Sequence, residues 1–332
     1  MNNIVALFKS AGEALPVAST STTTDTAKAP PEAAGSGFSA TVDGYIAAAQ
    51  SEATKRAYAQ AIRHFEANGG SIPASPEILA EYLARFAGKL SVATLELRMT
   101  AIHKQHLAIS AESPAQSEMV KRVMQGIRRK LGTKQRQVQP ILKDDILSTL
   151  VMVDRQKPVK AARDRALLLI GFAGAFRRSE LVAVKVEHIT HVSNGIEIFL
   201  PKSKTDQEGS GRTVFIPHSN GDRCPVRALA EWLAVAQIDS GFVFRSVTRH
   251  DRVASTGLTA QSVALVVKAA LSRVGVDADK VSGHSLRAGY CTQAAMVGMP
   301  PFMIREQTGH NSDVTLAKYI RPIARRKIPS LF

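Results

Sequence analysis

From residue 38 to about 131, apolar positions recur at helical spacing and polar residues punctuate them. Tyr45, Ile46 and Ala49 predict a first helix. Tyr58, Ile62 and Phe65 predict a second, ending at Gly69-Gly70. Ser75-Pro76-Glu77 is an N-cap followed by proline at the first helical position, opening a helix with Ile78, Leu79, Tyr82, Leu83 and Phe86. Ser91 starts the next, with Leu95, Met99, Ile102 and Leu107 inward, and a last helix carries Met119, Val123, Met124 and Ile127. These segments predict an all-helical domain over 38–131. Residues 1–37, rich in Ala, Ser, Thr and Pro, have little to bury and are expected to be a disordered tail. The polar, basic stretch Gly132 to Pro140 ends in proline and places an interdomain linker at 132–142.

From 143 to 332 the pattern is mixed. Asp144 to Val153 and Ala161 to Gly174 are helical, and the run A-L-L-L-I-G-F-A in the latter is apolar all round, so that helix is buried. Lys185 to Val192 and Ile196 to Leu200 alternate as strands around the turn Ser193-Asn194-Gly195. Thr213 to Ile216 predicts a third strand after the polar loop K-S-K-T-D-Q-E-G-S-G-R. Helices follow at Pro225 to Gln237 and Thr259 to Val274. The fold class is mainly α with a small antiparallel β-sheet.

The densest chemistry lies between Ser282 and Pro322. His284 and Arg287 are three residues apart and share a helix face. Gly309 reads as the residue closing the helix P-F-M-I-R-E-Q-T, with His310 just beyond it. Ser312 or Asp313 caps a short helix that carries Tyr319 and is expected to stop at Pro322. One arginine, two histidines and one tyrosine delivered from helix ends suit an oxyanion and a nucleophile.

Charge sharpens this picture. Lysine and arginine number 43 against 28 acidic residues, for a net +15, which points to a polyanionic partner, nucleic acid first. On the helical domain, Lys55, Arg56, Arg63, Arg98, Lys104, Lys121, Arg122, Arg128, Arg129 and Lys130 are the candidate phosphate contacts, about half of which are expected to be ordinary solvated charges. No apolar run approaches the ~20 residues of a membrane span, and no signal peptide is expected. Cys224 and Cys291 stand alone, without metal-ligand spacing, and read as reduced thiols. No third ligand accompanies the two histidines, so no metal is expected.

A-F-R-R-S-E-L (Ala175 to Leu181) and S-K-T-D (Ser203 to Asp206) complete an ordered set with H-S-L-R, G-H and the terminal tyrosine. With these residues the chain resembles the tyrosine recombinase (phage integrase) family over about residues 41 to 325, in its Cre-like two-domain form. The resemblance implies an N-terminal helical core-binding domain and a C-terminal mixed α/β catalytic domain, closing as a clamp on duplex DNA. It implies Arg177, Lys204, His284, Arg287, His310 and Tyr319 as the catalytic set. The chemistry agrees: guanidinium groups bind phosphate bidentately, tyrosine forms a covalent phosphoester, and a lysine on a hairpin can protonate the leaving 5′-oxygen. His284 would assist deprotonation of Tyr319 or help hold the phosphate. Family register selects Arg177 over its neighbour Arg178. Lys204 competes with Lys202, which otherwise joins the DNA contacts. Glu180 is either an auxiliary residue bracing the basic groups or a plain helix-face acid.

The implied function is site-specific DNA recombination serving a mobile element, phage or plasmid, through a 3′-phosphotyrosine and a Holliday junction. The implied partners are duplex DNA bearing a specific core site, three further copies of the chain in a tetramer held by the C-terminal tail (Ile328, Leu331 and Phe332), and an accessory protein. Cofactors are none, and the expected location is the cytoplasm, on the nucleoid. Rival readings are a catalytically silent DNA-binding regulator of the same fold and a type IB topoisomerase-like relaxing enzyme.

Overall fold

The computed structural model describes residues 44–45, 48–133, 138–201, 211–221 and 223–326. The chain divides into two compact units, one ending at Gln135 and the other beginning at Arg136.

The first unit is helical: α1 (Glu52–Glu66), α2 (Pro76–Phe86), α3 (Val92–Ala108) and α4 (Glu118–Leu131). Each begins the same way. Ser51, Ser75, Ser91 and Ser117 take extended backbone, and each side-chain oxygen accepts the N–H three residues on. Such caps satisfy donors that the helix itself leaves open. Phe65, Leu79, Leu83, Leu95, Ile102, Val120 and Met124 fill the core. Three residues of the expected apolar stripes are outside it: Ile78 is 39%, Leu107 50% and Met119 47% exposed. Ser117 caps α4 one residue before the expected apolar stripe, which turns Val120 inward in place of Met119. Tyr45 is exposed, and Ile46 lies outside the described residues.

The second unit holds α5 (Lys143–Val153), α6 (Pro158–Ala173), α7 (Arg178–Ala183), β1 (Ile189–Val192), β2 (Gly195–Leu200), β3 (Arg212–Pro217), α8 (Pro225–Ala236), β4 (Arg245–Val247), β5 (Val253–Gly257), α9 (Ala260–Ser272), α10 (His284–Met296), α11 (Pro301–Thr308) and α12 (Asp313–Arg326). Strands β1-β2-β3 form an antiparallel sheet with Ile196 opposite Ile216 and Ile198 opposite Val214. These four side chains alternate onto one face and join Leu167, Leu168 and Ile170 of α6, Trp232 of α8 and Val267 of α9 in one core. Trp232 donates its indole N–H to the Val243 carbonyl at 2.8 Å, so its polar atom is satisfied inside that core.

Three expectations are corrected here. Residues 186–188 are a 3₁₀ turn rather than strand, because the Val186 N–H bonds to Gly241 instead of to β2. The end of the expected linker is built into the second unit: the Gln139 N–H donates to Lys280, and Ile141 is 1% exposed. Helix α12 does not stop at Pro322 but runs to Arg326, since an internal proline removes one backbone bond without forbidding the next turn. The β4–β5 hairpin had no sequence signal, its strands being short and polar. Its turn residue Asp251, at φ 62°, accepts the N–H groups of Val159 and Lys160 at 2.9 Å and so caps α6 from 91 residues away.

Asp251→Ala should lower stability by about 1 kcal/mol in urea unfolding, the usual loss for a helix cap. Gly289 of α10 lies so close to the Ile141 carbonyl that an added Cβ would overlap it. Gly289→Ala should therefore cost about 3 kcal/mol by the same measurement.

Candidate active site

Three turns of the second unit and the middle of α12 converge on one cluster. Gly174 closes α6, and Ala175 follows in the left-handed region at φ 49°, which turns its carbonyl onto Arg287. Arg287, on α10, is fully buried and spends Nη1 on that carbonyl at 2.8 Å. Its Nε and Nη2 meet no partner among the described residues. Leaving such donors unpaired costs about 1–3 kcal/mol each, more for charged groups, so the fold holds this guanidinium ready for an acceptor. Burial, then the charge of Arg177, lowers the Arg287 pKa to about 10.

Arg177 precedes α7 and Glu180 lies in its first turn. Glu180 Oε1 accepts from Arg177 Nη1 at 2.5 Å, and Oε2 accepts from the Arg177 backbone N–H at 2.9 Å. Oε2 also accepts from Arg212 Nη2 at 3.2 Å. Burial alone would push the Glu180 carboxyl up; the Arg177 N–H and the charges of Arg212 and Arg177 outweigh it and hold the group below its ordinary value. Glu180, 3% exposed, is thus an ionised hub rather than a surface acid. Arg178 is exposed, its stem packed over Gly283, so the two adjacent arginines face different surroundings.

His284 opens α10, its N–H donating to Ser282 Oγ at 3.1 Å. Its Nε2 stands 2.8 Å from the Tyr319 Oη on α12. The His310 ring lies 5.9 Å from the Tyr319 ring, centroid to centroid. Gly309, left-handed at φ 63°, ends α11 and releases the chain to His310. Thr308 donates its hydroxyl proton to the Ile304 carbonyl at 2.6 Å, and so accepts from His310 Nδ1 at 2.7 Å. That network assigns the proton of neutral His310 to Nδ1. Burial, then the charges of Arg287, Arg177, His284 and Arg212, drives His310 down to about 3. Burial raises the Tyr319 phenol above its ordinary value, with Arg287 and Arg177 opposing. An anion between these groups would relieve every one of those repulsions.

Of the residues expected in the site, the structure brings together Arg177, Glu180, His284, Arg287, His310 and Tyr319. Lys202 and Lys204 lie outside the described residues. Sequence reasoning missed Arg212 and Thr308. Arg212 carried no signal, being one cation at the end of a charged loop; Thr308 was legible only as the first letter of T-G-H. On the first unit, Arg56, Arg63, Lys104, Lys121, Arg122, Arg129 and Lys130 are exposed. Arg122 and Arg129, seven residues apart, share one face of α4. Three others are engaged within the unit. Arg98 donates to the Tyr82 hydroxyl at 3.0 Å and lies 2.8 Å from His64 Nδ1; Lys55 pairs with Glu52 and Arg128 with Glu96.

The phage integrase family model matches residues 140–326. An integrase/recombinase XerD homolog of Selenomonas ruminantium is 40% identical over 253 residues, covering 75% of this chain and 74% of that protein. A λ integrase dimer bound to a COC′ core site has the same fold at TM-score 0.61 and 14% identity, over 88% of this chain and 78% of the other. The XerH site-specific recombinase in its post-cleavage complex with palindromic difH shares it at TM-score 0.59 and 19% identity, over 82% and 77%.

The low pKa of His310 fixes a sign for acid sensitivity. A histidine near 6.5 when unfolded and near 3 when folded binds fewer protons in the native state, so its contribution to stability is present above pH 6.5 and is lost as pH falls toward 3. His310→Asn should flatten that loss by about 2 kcal/mol between pH 7 and pH 4.5 in urea unfolding.

Proposed function

Because the chain belongs to the phage integrase family of site-specific tyrosine recombinases, we propose that it cuts and rejoins duplex DNA through a 3′-phosphotyrosine at Tyr319. One observation carries the reading: the Tyr319 hydroxyl stands 2.8 Å from His284 Nε2, beside a buried arginine with two N–H-bearing nitrogens unspent among the described residues. In the proposed reaction Arg177 and Arg287 hold the non-bridging oxygens of the scissile phosphate. Tyr319 Oη attacks phosphorus as its proton passes to His284 Nε2. The P–O5′ bond breaks, and the 5′-oxygen takes a proton from Lys204, or from Lys202. Rejoining reverses the roles: a 5′-hydroxyl attacks the phosphotyrosine and Tyr319 leaves. Each step exchanges one phosphoester for another, so the bond energy is kept for religation.

Recombination in the strict sense needs two such sites. In this reading four copies of the chain exchange strands in pairs through a Holliday junction, coupled by docking of Ile328 to Phe332 onto a neighbouring copy. The exposed cations of α1, α3 and α4 supply sequence-independent phosphate contacts on the core site. The DNA would belong to a phage, plasmid or other mobile element, and an accessory protein would set direction.

Nicked duplexes drawn from DNA flanking the gene test this directly. Wild type should form an SDS-resistant protein–DNA adduct, Tyr319→Phe should form none while keeping duplex affinity, and Arg287→Ala should form it about 100–1,000-fold more slowly. Specific binding by wild type without any adduct would favour a silent regulator instead. Relaxation of supercoiled plasmid at low protein concentration would favour the topoisomerase-like reading.

A further inference from the structure

We propose that Arg212 is a positioning residue of this site: it fixes the turn that presents His310 and keeps Glu180 from cancelling the charge of Arg177. For the reaction it serves, the inference rests on the recombinase reading above; its geometry stands in the free protein. Arg212 opens β3, and its side chain is 16% exposed. It reaches two segments far apart in sequence. Nη1 donates to the Gln307 carbonyl at 2.7 Å, in the last turn of α11, and Nη2 donates to Glu180 Oε2 at 3.2 Å.

The turn it grips is held from several directions. Arg177 Nη2 donates to the Gly309 carbonyl at 3.3 Å, and Gln307 Nε2 donates to the carbonyls of Ala173 and Phe215 at 3.1 and 2.8 Å. A Cβ on Gly309 would stand 2.7 Å from Arg212 Nε. Glycine is therefore needed there twice, for its positive φ and for the approach of this guanidinium. The next residue is His310, whose ring faces Tyr319 from that turn.

The charge argument is independent of the packing. Glu180 gives Oε1 to Arg177 but divides Oε2 between the Arg177 N–H and Arg212. Without Arg212 the buried carboxylate would have Arg177 as its one guanidinium hydrogen-bond partner among the described residues, and that pair would approach neutrality. With it, three guanidiniums (Arg177, Arg212, Arg287) face one carboxylate. A phosphodiester brings one negative charge, and the reacting phosphorane gains a second as the tyrosine proton leaves. A site with that surplus of positive charge favours the transition state over the bound diester. The groups that bear on His310 are Arg287 and His284 of α10, Arg177, Arg212 and the Tyr319 ring of α12.

The test compares wild type, Arg212→Lys and Arg212→Gln in single-turnover adduct formation on a nicked duplex, in duplex affinity, and in the ¹⁵N titration of the His310 ring without DNA. Arg212→Gln should cleave about 100-fold more slowly, the scale of a small misplacement of reacting groups. Its duplex affinity should stay within about threefold, because many other phosphate contacts remain. Removing that positive charge should also move the His310 titration to higher pH. Arg212→Lys keeps the charge but cannot bridge two acceptors in fixed geometry. It should leave the titration near wild type yet slow cleavage about 10-fold, and it carries the test if Arg212→Gln does not fold. Cleavage by folded Arg212→Gln within about threefold of wild type overturns the proposal, as does a rate loss matched by an equal loss of affinity. Wild type forming no adduct would sink the recombinase reading itself, and the His310 titration would still decide whether Arg212 governs that histidine.

Discussion

The second unit depends on one buried carboxylate. Glu180 is the acid that the Arg177 and Arg212 guanidiniums share, in a cluster that also contains Arg287 and two histidines. Burying like charges together is costly unless each is paired or completed by a ligand. Here the pairing is partial. Glu180 settles one side of Arg177 and one side of Arg212, backbone carbonyls settle parts of the rest, and two nitrogens of Arg287 have no partner among the described residues. The fold tolerates that imbalance because the cluster is held on all sides by rigid elements.

Those elements are ordinary in their physics. An apolar α6 anchors the core, α10 lies against the 139–141 segment at a glycine, and α11 ends in a left-handed glycine that turns the chain sharply. Charged side chains then project from helix starts and stops, where backbone direction is fixed to within a rotamer. Arg177 comes from the start of α7, His284 from the start of α10, and His310 from just past α11. Tyr319 comes from mid-helix, and its hydroxyl meets His284 because α12 packs through Leu316 on the small cluster of Cys291, Ala294 and Ile304. A phosphate oxyanion entering this cluster would supply a counter-charge to its guanidiniums, which links the electrostatics of the site to its proposed chemistry.

Local chemistry told most of the helical story. Ser75 with its following proline and Ser91 placed the starts of α2 and α3, and apolar residues at helical spacing marked α1 and α4, whose caps Ser51 and Ser117 the structure supplied. The alternation over Ile196 to Leu200 marked β2, and Thr213 to Ile216 marked the third strand, within a residue of β3 at each end. Errors arose where a neighbour overrode a local pattern. Leu107 lies in the last turn of α3 and Met119 in the first turn of α4, at the margins of their stripes, where both are exposed. The Val186 N–H bonds to Gly241, which no local reading could see. Proline at 322 marked a stop in sequence terms, yet the backbone continues past it.

The sequence by itself determined the types of reacting group and their order along the chain, because R-x-S-E-L, H-x-x-R, G-H and the terminal tyrosine are each set by short-range spacing. Helix periodicity was likewise sufficient to place His284 and Arg287 on one face. Only the tertiary structure decided how Glu180 is used, since its second partner, Arg212, lies 32 residues away on a strand and meets it through sheet-to-helix packing. It alone decided that Arg287 keeps donors unspent among the described residues, that Thr308 fixes the proton of His310, and that His284 rather than His310 touches the tyrosine hydroxyl. Those are distances between segments brought together by a shared core, and pairing across a core has no signature in the spacing of residues along a chain.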